Sequence, residues 1–243
     1  IRDVERSRGL GDVYKRQFAL LFSFTFSCHA KGKDKAKHVV FIGLDGWGAY
    51  SLPKADMPNV KKLMEDGAYT LKKRSALPSS SAINWASMFM GAGPELHGYT
   101  EWGSKTPELP SRVLNKNGIF PTVFQLLRDA RPEAEIGCLY EWEGIKYLVD
   151  TLSLSYHYHV ADCNKTPKEL GNMASSYIKE KHPALVAICY DGPDHTGHTA
   201  GHDTPEYYEK LKELDMYVGQ IVQAVKDAGM LDDTIFILTS DHG

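Results

Sequence analysis

Three short apolar segments limit the folds open to this chain. They run from His38 to Leu44, from Ala184 to Tyr190 and from Thr234 to Thr239, and each is continuous rather than alternating. A continuous apolar run is typical of a strand that is buried on both faces of a parallel sheet. Helix-forming segments separate the three runs. We therefore predict a three-layer α/β/α sandwich around a mostly parallel central sheet.

Start and stop signals place the elements between these strands. Pro58 opens a helix that Gly67 ends, and the serine-rich turn at 79–81 leads into a helix from Ala82 to Met90. Thr204 and the proline after it open the longest helix. The remaining predictions are helices at 121–127 and 167–181, strands at 135–140 and 156–160, and a loop insertion at 94–117.

Side chains that can bind a metal follow each of the three apolar runs at its carboxyl end. Asp45 follows the first, Asp194 and His198 follow the second, and Asp241 and His242 follow the third. The carboxyl ends of parallel strands meet at one edge, where open α/β sheets bind ligands. Carboxylate and imidazole donors suit Zn²⁺ or a similar ion. We predict a site for two divalent metal ions, with zinc as the expected metal.

Ser81 stands where a nucleophile is expected. It lies at the start of a predicted helix, where unpaired N–H groups and the helix dipole favour an anion. A bound metal would lower the pKa of its hydroxyl and favour the alkoxide. A serine in this position is also a common helix cap, so the interpretation depends on the neighbouring donors.

Length and charge restrict the class of protein. The chain has 243 residues and a formal net charge of -3, which indicates one domain with a sizeable core. A net negative charge offers no basic surface, so we expect no binding to a nucleic-acid polymer. Small phosphorylated molecules remain compatible, because a bound metal supplies its own positive charge.

The amino-terminal segments resemble processing signals rather than part of the fold. Residues 1–17 are polar and without apolar periodicity, and we interpret them as a non-native or unstructured leader. Residues 18–30 have the layout of a secretory signal peptide, with about ten apolar residues where a membrane span needs roughly 20. A buried strand is the alternative. Residues 31–37 are interpreted as a linker, and residues 38–243 as the folded domain.

Cys28 closes the apolar run and resembles a loose bacterial lipoprotein cleavage site. A lipid anchor at this residue would be the only expected contact with a membrane. We therefore predict export, to the periplasm, to the cell surface as a lipoprotein, or to the medium.

A set of motifs in order along the chain resembles a known family. The motifs are Asp45-Gly46, Leu77 to Asn84, Gly91 to Gly98, Pro193 to His198, and Ser240 to Gly243. Together they resemble the type I phosphodiesterase/nucleotide pyrophosphatase family of the alkaline phosphatase superfamily. The resemblance implies an alkaline-phosphatase-like fold, truncated at its carboxyl end, that acts on small-molecule phosphate esters.

The resemblance also implies a role for each donor. One metal would be held by Asp45, Ser81, Asp241 and His242. The second would be held by Asp194 and His198, with another histidine expected beyond Gly243. Catalysis would proceed by in-line attack of the Ser81 hydroxyl on phosphorus, followed by hydrolysis of the phosphoserine.

The sequence departs from the family pattern at two places. Ser81 replaces the usual threonine nucleophile, and a serine hydroxyl serves the same chemistry. The family's phosphate-binding asparagine is replaced, by spacing, by Trp102, whose indole has a single N–H donor. Asn84 could donate in its place, so we predict Ser81 and Asn84 as the catalytic residues.

Other functions remain open at this point. The same site could serve a phosphomonoesterase, or an enzyme of phosphoethanolamine or phosphonate chemistry. A non-catalytic exported metal-binding relative is the alternative from another class. A sulfatase is disfavoured, because the sequence has no Cys/Ser-x-Pro-x-Arg run.

Overall fold

The computed structural model describes residues 36–161 and 167–243. The predicted leader, signal peptide and lipid-anchor residue Cys28 lie outside these ranges. Within them, no helix combines the length and apolar character needed to cross a bilayer.

Five parallel strands form the central sheet. They are β1 (His38–Leu44), β2 (Ile136–Tyr140), β3 (Tyr156–His159), β4 (Leu185–Tyr190) and β5 (Thr234–Thr239). Their order across the sheet is β3-β2-β4-β1-β5, and every pair is parallel. The three apolar runs of the sequence are thus three adjacent strands, and the predicted parallel sheet is confirmed.

Seven α-helices connect the strands in the described ranges. They are α1 (Pro58–Asp66), α2 (Ser81–Met90), α3 (Pro94–His97), α4 (Val123–Ala130), α5 (Pro167–Lys181), α6 (Gly192–Ala200) and α7 (Pro205–Asp227). Short 3₁₀ turns occur at Ala49–Ser51, Glu143–Tyr147, Thr151–Ser153 and Leu231–Asp233.

Alternate residues of β1 enter two separate cores. Val40, Ile42 and Leu44 pack against α1, α5 and α7, whereas Val39 and Phe41 pack against α2 and α4. Because successive side chains of a strand point to opposite faces, a strand covered on both faces must be apolar throughout. Each fully buried aliphatic side chain contributes roughly 1.5–3 kcal/mol. This double burial explains the continuous apolar runs of β1 and β4 and produces the predicted three layers.

Three helices differ from the sequence-based expectation, and one of them, α3 (Pro94–His97), lies within the predicted loop insertion at 94–117. The helix predicted at 121–127 begins at Val123, because the Thr122 side chain accepts a hydrogen bond from the Gln125 amide and caps it. Helix α6 was not predicted. Its sequence contains Gly192 and Gly197, which disfavour a helix interior, but Pro193 in its first turn and a carboxylate from β2 support its start.

Strand β1 determines where a ligand site can form. Strands β4 and β2 lie on one side of it and β5 lies on the other. The connection from β1 to β2 and the connection from β4 to β5 therefore run in opposite directions across the sheet. Such a switch point opens a crevice at the carboxyl ends of the strands. Asp45, Asp191 and Asp241 all lie at this edge, directly after β1 or β4, or two residues after β5.

Candidate metal centre and nucleophile

Asp45, Asp241 and His242 form a compact group at the switch point. Each offers one ligand atom, and these atoms all lie within 4.8 Å of one another. The Nε2 atom of His242 is 3.4 Å from Oδ1 of Asp45 and 3.3 Å from Oδ2 of Asp241. Both carboxyl groups are buried, with 2% and 1% of each residue exposed. The three side chains therefore converge on a point where a cation could sit.

Ser81 reaches the same point from the helix layer that contains α2. It is the first residue of α2, and its Oγ atom lies 3.1 Å from Nε2 of His242. Its hydroxyl also donates to Oδ1 of Asp45 over 3.4 Å. The start of α2 thus presents a hydroxyl directly to the two strand-end groups.

Asp194 and His198 extend the cluster along α6. Oδ1 of Asp194 is 3.8 Å from Nε2 of His242, and Oδ2 is 3.4 Å from Nε2 of His198. The imidazole of His198 is 76% exposed, whereas the side chain of Asp194 is 17% exposed. Asp194 therefore lies between a buried group of donors and an exposed one.

Burial and the repulsion between neighbouring carboxylates make negative charge unfavourable at this site. Burial, followed by the carboxylates of Asp241 and Asp191, raises the pKa of Asp45 well above its ordinary value. Burial also raises the pKa of Asp241, although His242 opposes the shift. Among the described residues, Oδ2 of Asp241 has no hydrogen-bond partner. Buried carboxylates in this state fit a divalent cation, whose charge would offset the repulsion.

The turn after β1 brings α6 into contact with these donors. Gly46 has φ +65°, and a Cβ atom there would lie 2.8 Å from Cα of Asp194. Only glycine combines this backbone conformation with so close an approach. The Gly46 amide donates to Oδ1 of Asp241 over 3.2 Å. The Tyr207 hydroxyl donates to the Gly46 carbonyl over 2.7 Å and accepts from the Gly48 amide, so α7 also holds the turn.

Trp85 was not predicted as a site residue, yet it contacts the first predicted ligand. Its indole Nε1 donates to Oδ2 of Asp45 over 2.9 Å, and both groups are buried. The spacing between Trp85 and Ser81 was the signal in the sequence that could have identified this contact. Trp85 follows Ser81 by four residues, so the two share one face of α2.

The side chain of Asn84 holds the segment that precedes Ser81. Its Oδ1 accepts from the Ala76 amide over 2.7 Å, and its Nδ2 donates to the carbonyls of Ser80 and Ala76 over 3.0 and 3.4 Å. Donation to a phosphoryl oxygen would require one of these bonds to break. That role of Asn84 stays a prediction.

Trp102 meets the start of α2 through its backbone. Its carbonyl accepts a hydrogen bond from the Ala82 amide over 3.2 Å, and its side chain is 72% exposed. One of the N–H groups at the start of this helix is therefore already paired. The predicted loop insertion thus reaches the nucleophile segment.

Glu141 and Asp191 form a second acidic pair beside the site. Oε2 of Glu141, at the end of β2, accepts from the Asp191 amide over 2.7 Å at the start of α6. Burial raises the pKa of Glu141 to about 8 and that of Asp191 to about 6, the latter with help from Asp194. Glu141 therefore caps the helix that carries Asp194 and His198.

Comparisons with known proteins identify relatives of this chain. The sequence profile described as type I phosphodiesterase / nucleotide pyrophosphatase matches residues 39–243. The chain is 26% identical over 219 residues to bis(5'-adenosyl)-triphosphatase enpp4 of Mus musculus, covering 86% of this chain and 47% of the relative. It is 24% identical over 214 residues to ectonucleotide pyrophosphatase/phosphodiesterase family member 1 of the same species, covering 84% and 24%.

A solved structure supports the fold. The crystallised protein is an inactive form of murine ectonucleotide pyrophosphatase / phosphodiesterase 5 in complex with AMP, with a TM-score of 0.66 and 19% identity. The match covers 85% of this chain and 57% of that one. The chain spans about half the length of the first curated relatives it matches. Because the family profile matches most of its residues, the chain belongs to the type I phosphodiesterase / nucleotide pyrophosphatase family.

Proposed function

We propose that this chain carries the nucleophile and most metal ligands of a metal-dependent hydrolase of phosphodiester or pyrophosphate bonds. One observation carries the proposal: an unbroken series of contacts, none longer than 3.8 Å, runs from the Ser81 hydroxyl through His242 and Asp194 to His198. A structural role alone would not require a hydroxyl, two imidazoles and three carboxylates in one place.

The donor set fits two divalent ions, and zinc is the metal that we expect. Asp45, Ser81, Asp241 and His242 would hold one ion, and Asp194 and His198 would contribute to the second. Oxygen and imidazole ligands are those that Zn²⁺ takes in hydrolases. The bound ions would lower the pKa of the serine hydroxyl and stabilise charge on the transferred phosphoryl group.

The protein's own residues would orient the reaction. The Ser81 hydroxyl gives up its proton, and its Oγ atom forms a bond to phosphorus while the bond from phosphorus to the leaving oxygen breaks. The leaving group departs with that electron pair and takes up a proton from solvent, and the phosphoryl group stays on Ser81 as the phospho-Ser81 intermediate. A water molecule then attacks the same phosphorus and restores the hydroxyl. The position of Ser81 at the start of α2 favours an anion there, because the positive end of the helix dipole points at it.

Nucleotide-type esters are the proposed substrates. Two relatives are described as a triphosphatase of a bis-adenosyl compound and as a nucleotide pyrophosphatase/phosphodiesterase. The main alternative is a phosphomonoesterase or a phosphoethanolamine- or phosphonate-type enzyme with the same nucleophile. Relative rates on matched mono- and diesters of p-nitrophenol would separate these substrate classes.

The proposal is tested with bis-p-nitrophenyl phosphate in the presence of Zn²⁺. We expect weak p-nitrophenolate release, because the chain spans about half of its relatives, and a p-nitrophenyl phosphate adduct on Ser81 that mass spectrometry detects. Ser81→Ala should abolish both signals. Ser79→Ala is the matched control, since Ser79 lies exposed in the same serine run.

Two outcomes would contradict the proposal. Turnover that persists at the same rate in Ser81→Ala would exclude the phosphoserine route. Tight metal binding without turnover or a covalent adduct would favour the non-catalytic metal-binding protein.

We further propose that the parent protein is exported, on the strength of the signal-like residues 18–30. Fractionation of cells that produce the chain with residues 18–30 intact or deleted tests this. Retention of both forms in the cytoplasm would contradict it.

A further inference from the structure

The two oxygens of the Asp45 carboxylate face different partners. Oδ1 faces the Ser81 hydroxyl and Nε2 of His242, both at 3.4 Å. Oδ2 points the other way and accepts the indole N–H of Trp85 over 2.9 Å. An indole is a donor only and cannot itself bind a metal. The Trp85 contact therefore determines which oxygen is left for the site.

The Trp85 ring has little freedom to move away. It stacks on Phe89 with the ring centroids 5.8 Å apart and meets Phe41 edge-on at 6.4 Å. A Cβ atom at Gly43 would lie 2.2 Å from its Cη2 atom. The absence of a side chain at Gly43 is thus what allows the indole to lie flat on β1 and reach Asp45.

We propose that Trp85 is a positioning residue that holds Asp45 as a one-oxygen ligand, bound through Oδ1, and so raises the affinity of the first metal site. This inference rests on the proposed function, because it assumes that Asp45 is a ligand. A hydrogen bond from N–H to a charged carboxylate is stronger than one between neutral groups. Outer partners of metal ligands typically account for 10–100-fold in affinity.

Three variants test the assignment by competition for Zn²⁺ with a chromogenic chelator. Trp85→Phe keeps an aromatic ring but removes the N–H, and we expect affinity to fall about 10-fold. Gly43→Ala keeps the indole but displaces it from β1, and we expect a similar loss. Phe89→Leu is the control, since it loosens the same aromatic stack and leaves the N–H in place. It should lower thermal stability without lowering affinity.

Nuclear magnetic resonance supplies a readout that does not depend on metal. The chain has four tryptophans, and Trp85→Phe identifies the indole N–H signal of Trp85. In the metal-free protein this signal should exchange slowly with solvent and should shift when Asp45 is changed to Asn. A signal unaffected by that change would overturn the hydrogen bond itself.

The outcomes separate this inference from the proposed function. Folded Trp85→Phe that binds Zn²⁺ within a factor of about two of the parent chain, against the tenfold expectation, would overturn the positioning role alone. A parent chain that binds no Zn²⁺ would overturn the proposed function, and the Trp85 contact would then be only a structural hydrogen bond.

Discussion

Two buried aspartates are equally shielded from solvent but differ in their hydrogen-bond partners. Asp215 on α7 and Asp241 after β5 are each 1% exposed. Asp215 accepts from the amides of Asn59 and Val60 and from the Asn59 side chain, at 2.8 to 3.0 Å. Asp241 accepts the Gly46 amide through Oδ1, while its Oδ2 has no hydrogen-bond partner among the described residues and lies 3.3 Å from Nε2 of His242.

The difference is the one expected between a carboxylate that supports the fold and one that binds a metal. Met57, the residue before α1, has no polar side chain to cap that helix, and Asp215 supplies the cap from α7. Asp241 instead lies beside a second carboxylate, Asp45, and a serine hydroxyl. A buried carboxylate whose oxygens all accept hydrogen bonds stabilises the fold. Two adjacent buried carboxylates with fewer hydrogen bonds repel each other, and a bound cation can relieve that repulsion.

The largest effect on folding is expected at Asp215. Asp215→Ala leaves two backbone N–H groups of α1 without acceptors, so we expect the free energy of unfolding to fall by about 3 kcal/mol. Urea denaturation of the metal-free chain measures it, with Asp215→Asn as a milder variant that keeps one acceptor. A loss below about 1 kcal/mol would contradict the cap, and metal affinity should not change.

Asp241→Asn should affect metal binding instead. It removes a charged donor from the centre of the group, and we expect Zn²⁺ affinity to fall by at least about 100-fold, the upper end of the range for partners further from the metal. Chelator competition measures the loss. Asp232→Asn, on the exposed turn that precedes β5, is the control. Equal affinities in the two variants would mean that Asp241 is not a ligand.

The same Asp241→Asn variant should stabilise the metal-free protein. Replacing one of two adjacent buried carboxylates with a neutral side chain removes repulsion, and Oδ1 can still accept from Gly46. We expect a gain of about 1 kcal/mol, measured by denaturation in the presence of a chelator. A loss comparable to that of Asp215→Asn would remove the contrast between the two carboxylates.

Glu141 lies between these extremes and should produce a graded effect of pH. Its Oε2 accepts the Asp191 amide, whereas Oε1 has no partner within the described ranges. Because burial raises its pKa to about 8, the folded chain binds this proton more tightly than the unfolded chain, whose glutamate pKa is about 4.3. The associated stability is complete below the unfolded value and is lost as pH rises through about 8.

Glu141→Gln isolates this contribution. The variant should match the parent chain near pH 5 and should become progressively more stable than it toward pH 9. Denaturation of both proteins across this interval measures the difference. A constant difference at every pH would mean that Glu141 does not titrate between these limits.

The smallest effect on stability is expected at the exposed end of the site. The side chain of His198 is 76% exposed and contacts Asp194, so His198→Ala should change the free energy of unfolding by less than about 0.5 kcal/mol. Its effect should appear in isothermal titration with Zn²⁺, where the weaker binding event disappears and the tighter one remains. Loss of the tighter event would contradict the assignment of His198 to a separate ion.

Much of the fold follows from local patterns. Continuous apolar runs predicted β1 and β5 with the observed limits and β4 to within one residue. For β1 and β4 the reason is burial on both faces, which leaves no room for polar side chains. The edge strand β5 is apolar although Ile235 and Ile237 are exposed. Helix α6 could not be predicted in this way. Its glycines disfavour a helix, and Glu141, which caps it, comes from a strand about 50 residues earlier.

The sequence by itself determined the parallel sheet and predicted which side chains would lie at its strand ends, since strand ends and motif spacing are properties of neighbours along the chain. Only the tertiary structure decided how each donor is used. One oxygen of Asp45 accepts from Trp85, the Asn84 side chain bonds to the backbone before Ser81, and one oxygen of Asp241 has no hydrogen-bond partner within the described residues. These choices depend on which side chains from distant segments meet in the buried interior, where an unpaired polar group is costly and its partner cannot be inferred from spacing.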